Sequence, residues 1–454
     1  MFKSRRSTYR KRHQPLPLLA IAIVLAIPLV LIILEVLASF LVGVTGKSAE
    51  LATYDSNVNV YRLKFLNKNK QPYDGLSDRG QLAAQSSLAV GYRLVGNQKS
   101  NFWQINEQGF RDDEPVPLTK PKNEIRIFIL GGSTAFGQWN SNNQATIANK
   151  LETRLNQRVA QQRRSPEKYR PADLPFYKPD LAKALALPPK IRDGQYRVIN
   201  AAVPGYASGN QLALLGLQIL SYSPDAIIVL DGYQDLLLPS DQWATDIPNV
   251  EDFLSNSMGH FWTHLTQQLK YAITDTSLVK ATQYWILRPQ LSVSRQTLIA
   301  TDPEASLDHY LPADPGELKR RVSRYRDFHV SMLRLTKGAG IPFIIAVQPE
   351  ITGRGTKKIS ASEQKILDEL GAVYQQKVQM GYQELAQATQ NLQKAFPQNV
   401  KTLNLYRIYD GSSKPAFIDA IHLTEEGNTV LSDRFYQTLT SLPKLQVPPS
   451  RPLP

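Results

Sequence analysis

Five short aliphatic runs, at 125–130, 196–200, 226–230, 343–347 and 401–405, constrain the fold of this 454-residue chain more than any other feature of it. Each has the length of a strand and is rich in β-branched and aliphatic residues. Segments of helical periodicity separate them, at 144–162, 209–221, 317–337, 360–395 and 424–440. Apolar strands alternating with helices predict a parallel sheet covered on both faces. Right-handed crossovers then give an α/β, three-layer doubly wound domain with a five-stranded parallel sheet, spanning 125–442. A hydrophobic content of 42% is enough to fill such a core.

A second constraint comes earlier. Residues 16–44 are almost wholly apolar, and their first uncharged stretch, 16–34, is close to the ~20 residues that cross a hydrocarbon core of ~30 Å. Lys3, Arg5, Arg6, Arg10, Lys11 and Arg12 precede it, so a basic N-terminus over 1–15 is expected in the cytoplasm and the rest of the chain outside it. The run exceeds a signal-peptide core of 7–15 residues and no small-x-small site follows, which predicts an uncleaved transmembrane helix in the cell membrane. Glu35 falls late in the run, where a carboxylate sits at the interface or faces a partner helix.

Around these two parts the chain organises as follows. Residues 45–124 read as an extracytoplasmic collar of short strands and turns, in which Gly109 and Phe110 offer a turn and an aromatic that docks on the main domain. Two insertions interrupt the sheet rhythm: a basic, Pro-punctuated one at 163–192, and one at 236–315 too long to lack structure and expected to form a lid. Residues 443–454, with Pro448, Pro449, Pro452 and Pro454, read as a disordered tail. The formal charge is +14; with the six basic residues of the N-terminus set aside, 47 basic residues face 39 acidic ones. That balance suits anionic glycan or lipid head groups, and nucleic acid is not expected as a partner. The absence of cysteine excludes disulfides, thiolate metal sites and a thiol nucleophile.

Chemistry concentrates where the sheet would present its carboxyl edge. Ser133 lies in a Gly-rich turn, after Gly131 and Gly132, directly behind the first run. Its plainer reading is a helix N-cap, a role serine favours. Asp419 and His422 stand three residues apart just before the last helix, a spacing that lets carboxylate and imidazole face one way on a tight turn, the acid receiving the ring proton. Gly205, after Pro204, would bring a backbone N–H close to a developing oxyanion, or simply complete a type II turn. His260 and His264 share a helical face, but no third ligand completes a metal site.

With these residues in place, the chain resembles the SGNH, or GDSL-like, hydrolase superfamily. The resemblance rests on Gly131-Gly132-Ser133, on residues 200–206 with Gly205, on Asp231-Gly232-Tyr233-Gln234-Asp235, and on Asp419-Ala420-Ile421-His422, in that order over about 125–440. It implies a flavodoxin-like fold and ester hydrolysis with no cofactor or metal. Ser133 is then the nucleophile, His422 the base, Asp419 its orienter, and Ser133, Gly205 and Gln234 form the oxyanion hole. The family pattern has Asn where this chain has Gln234, and Gly132 stands where Asp is common. The expected function is a membrane-anchored serine esterase acting on acyl, foremost acetyl, esters of cell-envelope carbohydrate or lipid. Two alternatives are an O-acyltransferase acting on an envelope glycan and a catalytically degenerate domain that binds glycan or a partner. No oligomeric state is implied.

Overall fold

The computed structural model of the chain describes residues 16–45, 60–73, 80–247, 276–282, 306–355 and 358–448. The chain divides into two compact units, one of residues 1–56 with 261–290, the other of 57–260 with 291–454. In the first, helix α1 (Leu16–Val44) packs against a short helix later in the chain. Its segment 26–44 is long and apolar enough to cross a membrane.

The second unit begins with small strands β1 (Leu63–Leu66), β2 (Leu82–Ser87) and β3 (Gly91–Leu94), followed by the pair β4 (Gln98–Lys99) and β5 (Gln104–Ile105). Tyr61, Tyr92, Trp103 and Phe110 from this region are buried in the same hydrophobic core as the main sheet. From residue 57 onward the collar therefore belongs to the compact unit that carries the large sheet.

That sheet comprises β6 (Glu124–Gly131), β7 (Gln195–Asn200), β8 (Ala226–Asp231), β9 (Phe343–Val347) and β10 (Val400–Asn404). Their order across the sheet is β7-β6-β8-β9-β10, and every pair is parallel. This is the flavodoxin-like doubly wound order, in which the crossovers reverse direction between the first strand and the third and leave a crevice at the carboxyl edge. The strands read as near-continuous apolar runs because both faces are covered: every residue of β8 and β9 is buried. On the basis of which helices touch, α3 (Ile147–Arg164) and α10 (Glu425–Thr440) form one covering group. The other comprises α5 (Ser208–Leu217), α8 (Pro315–Gly338) and α9 (Ala361–Ala395). Two one-turn helices, α2 (Ser133–Phe136) and α6 (Tyr233–Leu237), follow β6 and β8 directly.

The structure bears on the two insertions and on the tail as follows. The insertion at 163–192 carries a helix of its own, α4 (Lys178–Ala186). The tail is ordered as far as residue 448: Pro443–Leu445 forms a 3-10 turn, and Val447 donates to the carbonyl of Lys190 at 2.9 Å while Arg192 donates to that of Leu445 at 2.7 Å. The insertion supplies the backbone partners that composition alone did not reveal. The expected lid over 236–315, with His260 and His264, falls largely outside the described residues; its described part includes the helix α7 (Ser277–Thr282), the partner of α1.

Candidate active site

Ser133 is the first residue of α2, and the N-cap is Gly132, with no side-chain cap. The N-cap reading of the serine therefore fails: its hydroxyl closes no helix end, and the residue is half-buried. A Cβ on Gly132 would stand 3.3 Å from the carbonyl oxygen of Tyr206, which shows how closely the turn after β7 approaches. That turn runs from Val203 to Tyr206, whose N–H returns to the Val203 carbonyl at 3.1 Å. Gly205 has φ +85° within it, the left-handed geometry a type II turn demands at its third residue. The collar fixes the turn from above, Tyr92 donating its hydroxyl to the Pro204 carbonyl at 2.7 Å.

Gln234 projects from α6, and its Nε2 is buried with no hydrogen-bond partner. An amide donor left unmade in the interior costs free energy unless something else takes it. The helix bearing it is held firmly. Asp235 accepts the N–H of Ser208 at 3.1 Å and its hydroxyl besides, while the hydroxyl of Tyr233 lies 3.0 Å from that of Tyr374. Burial, together with the charge of Asp231, pushes the Asp235 carboxyl up to about 6.

Asp419 and His422 meet on a tight turn before α10. The turn is closed by the Ile418 N–H on the His422 carbonyl at 2.8 Å. Oδ1 of Asp419 accepts the backbone N–H groups of Ile421 (3.0 Å) and His422 (2.8 Å), and Oδ2 lies 2.5 Å from Nδ1 of His422. The indole N–H of Trp139 also reaches Oδ2, at 3.0 Å. Burial works to raise the carboxyl's pKa, but the imidazole beside it and these donors hold it below its ordinary value. Nε2 of His422 is buried and makes no hydrogen bond, with Ser133 or with anything else.

The two halves are tied together one residue away from each. Thr134, next to Ser133, donates its hydroxyl to the carbonyl of Ile421, next to His422, at 3.1 Å. Gln348, at the end of β9, donates to that same hydroxyl at 3.0 Å, and the Ile351 N–H reaches the Ala420 carbonyl at 2.9 Å. The carboxyl ends of β6 and β9 thus grip the Asp-His turn through side-chain and backbone bonds.

His329 forms the other described histidine–carboxylate contact, 3.3 Å from Asp231, and both groups are buried. Its Nδ1 is bonded to the Tyr325 carbonyl at 2.9 Å, so the ring is locked within α8. Among the described residues no group of three His, Cys, Asp or Glu is placed to hold a metal. An open cleft of about 390 Å³ lined by Lys150, Tyr409, Lys414, Glu425 and Thr429 contains none of the residues singled out above. Trp139 and Gln348 were not found by sequence reasoning. Their contacts bridge 280 and 214 residues, and neither lies in a recognisable motif.

The fold and site together define an open α/β domain with an alcohol, a backbone turn, a carboxamide and an acid–imidazole pair on the loops at its carboxyl edge. This is the arrangement that the resemblance to the SGNH hydrolases implies. No family model matches the sequence, and no curated protein matches it. Solved structures similar to the chain include a lipase/acylhydrolase from Enterococcus faecalis, 12% identical, with a TM-score of 0.35, over 72% of this chain and all of that one. An acetylxylan esterase from Geobacillus stearothermophilus is 10% identical with a TM-score of 0.33, over 71% of this chain and 96% of the other. A GDSL-like lipase from Bacteroides thetaiotaomicron is 12% identical with a TM-score of 0.29, over 69% and 86%. At these scores the likenesses carry no weight for residue roles, which rest on the chain's own geometry.

Proposed function

We propose that this protein is a serine esterase, anchored to a membrane by α1 with its N-terminus in the cytoplasm, that hydrolyses acyl esters, foremost acetyl esters, of cell-envelope carbohydrate or lipid. The observation that carries the reading is the Asp419–His422 pair: one ring nitrogen is engaged at 2.5 Å, and the other is buried and unbonded, one residue from the bond that ties this turn to the Ser133 segment. An imidazole held at Nδ1 with an idle Nε2 is prepared to take a proton from an alcohol. Catalytic hydrogen bonds are often long or unformed before substrate binds, so the unmade Ser133–His422 bond of the free protein is compatible with this reading.

In the proposed reaction the Ser133 oxygen attacks the acyl carbonyl while its proton passes to Nε2 of His422. The negative charge then collects on the former carbonyl oxygen. The N–H groups of Ser133 and Gly205 and the idle Nε2 of Gln234 are the candidate donors to it. Collapse breaks the ester bond, His422 returns the proton to the departing alcohol, and water releases the acyl group from Ser133 by the same steps in reverse. The acetylxylan esterase among the similar structures is in keeping with an acylated carbohydrate as substrate.

The test is hydrolysis of 4-nitrophenyl acetate by the detergent-solubilised protein, with covalent capture by a fluorophosphonate. Ser133→Ala is expected to abolish both. Turnover that survives the substitution unchanged would remove the proposal.

A further inference from the structure

We propose that Trp139 is a positioning residue for the acid–imidazole pair, and that the collar holds it in place through Tyr61 and Arg111. This rests on the esterase reading above.

The argument begins with the count of donors and lone pairs. The Trp139 indole has a single N–H, which lies 3.0 Å from Oδ2 of Asp419 and 3.1 Å from Nδ1 of His422. Both cannot be its partner in the reactive state. When Nδ1 carries the proton that it gives to Asp419, it has no lone pair left for the indole, so the indole N–H goes to Oδ2. Oδ2 then accepts two N–H groups, and Oδ1 accepts two backbone amides. A carboxylate so occupied presents an acceptor, never a donor, to Nδ1, which favours the tautomer whose free lone pair is on Nε2. The indole also stands edge-on to the imidazole, with ring centres 5.8 Å apart at 83°, and obstructs its rotation.

The backbone around Trp139 shows that the position is imposed from outside. Trp139 has φ +71°, a left-handed geometry that a bulky residue adopts only where its surroundings enforce it. Those surroundings come from the collar. Tyr61 gives its hydroxyl proton to the carbonyl of Asn140 at 2.6 Å and sets its ring edge-on to the indole, 5.6 Å between centres. Arg111, 1% exposed, directs Nη1 to the carbonyls of Phe136 (3.1 Å) and Gly137 (2.7 Å) and Nε to Oδ1 of Asn143 (2.9 Å). Its Nη2 meets the Tyr61 hydroxyl at 2.9 Å. A buried guanidinium is tolerated only where its donors are satisfied, and here they are satisfied largely by one loop. The carbonyls on both sides of Trp139 are thereby held by residues that precede the sheet in sequence.

The experiment uses the full chain in detergent. Trp139→Phe keeps a ring and deletes the donor. We expect kcat on 4-nitrophenyl acetate to fall tenfold or more with KM within twofold of wild type, in a protein of unchanged circular dichroism. Tyr61→Phe should lower kcat at least threefold, again at constant KM, and carries the same test should Trp139→Phe not fold. The second readout does not depend on turnover: in the ¹H–¹⁵N spectrum of the wild type's five tryptophans, the indole N–H of Trp139 should move when Asp419 is replaced by Asn. Folded Trp139→Phe or Tyr61→Phe with wild-type kcat overturns the proposal, as does an indole resonance indifferent to Asp419→Asn. If Ser133→Ala instead retains wild-type turnover, the esterase reading itself has failed, and the two failures are told apart.

Discussion

Gln234 carries the same donor as asparagine on a side chain one methylene longer, and its Nε2 is buried without a partner in the free protein. If that idle N–H serves the oxyanion, its cost in the resting enzyme is recovered in the transition state, where the charge develops. Gln234→Ala is then expected to lower kcat about 10²–10³-fold with little change in KM, as loss of one oxyanion donor does elsewhere. Gln234→Asn decides whether the extra length matters: steady-state kinetics should show a loss nearly as large, because a shorter arm on the same α6 backbone withdraws the donor. A fully active Asn variant would mean that the extra methylene does not matter and that the shorter arm still reaches the oxyanion. Glu350 makes a separate residue-scale prediction, on stability. It is completely buried beside Thr352 and Tyr374, and burial pushes its carboxyl up to about 7 even though these neighbours donate to it. The folded state therefore holds a proton that the unfolded chain releases above about 4.5. The stability this confers is full below that value and is lost as pH rises through about 7, with a ceiling of roughly 3 kcal/mol over the window. Urea unfolding at pH 5 and pH 7.5 should show the decline in wild type, and Glu350→Gln should flatten it.

Helix α9 illustrates what can and cannot be read at the level of elements. The periodicity of 360–395 predicts one long helix, and the structure opens it on Ser360 as N-cap, with Glu363 completing a capping box. Inside it Gly371 leaves the helical region altogether, at φ +76° and ψ +166°, and divides the element at a kink. A glycine within a helical pattern is ordinarily tolerated, so nothing in the sequence marks this one. Gly371→Ala separates two outcomes by sign. A Cβ there meets nothing within 4 Å, so no packing clash contributes. If the surrounding structure enforces the kink, the substitution should destabilise by about 1–3 kcal/mol, the usual cost of a non-glycine residue in such a conformation. If the backbone relaxes to a straight helix, alanine should instead stabilise by about 1 kcal/mol. We expect the loss, measured as a lower urea midpoint at unchanged activity. The strands were legible for the opposite reason. A parallel sheet covered on both faces leaves runs such as Ile127, Phe128, Ile129 and Leu130 fully buried, and burial of that kind is written directly in composition. Short motifs singled out Ser133, Asp419 and His422 as candidates. What stayed hidden were contacts between distant segments: Trp139 to Asp419, Arg111 to the loop at 136–143, and Arg192 to Leu445. Such pairings follow from the assembled fold and leave no local pattern.

Taken as a whole molecule, the chain has α1 and the middle of its second insertion, residues 261–290, in one compact unit, and Glu35 joins them. Its two carboxylate oxygens accept the first backbone N–H groups of α7, from Ser277 at 2.6 Å and Leu278 at 2.8 Å. Ser39 donates its hydroxyl to that of Ser277 at 3.0 Å, and Ala38 and Val42 on α1 are buried while most of residues 26–44 are exposed. A carboxylate in an otherwise apolar helix is retained where a polar partner satisfies it. Here the partner lies 242 residues away, so Glu35 faces a packed segment and not simply the interface. Cleavage after α1 would remove Glu35 and leave two amides of α7 without their acceptor. We therefore expect the mature protein to keep its first 44 residues. An epitope placed at the N-terminus should stay on the full-length band in carbonate-washed membranes; N-terminal sequencing that begins beyond Val44 would refute this. The pairing itself can be tested without background, because the chain contains no cysteine. Ser39→Cys combined with Ser277→Cys should give a single intramolecular disulfide on mild oxidation, seen as faster migration on a non-reducing gel and absent from either single variant. Cross-linked dimers alone would show that the contact does not form within one chain.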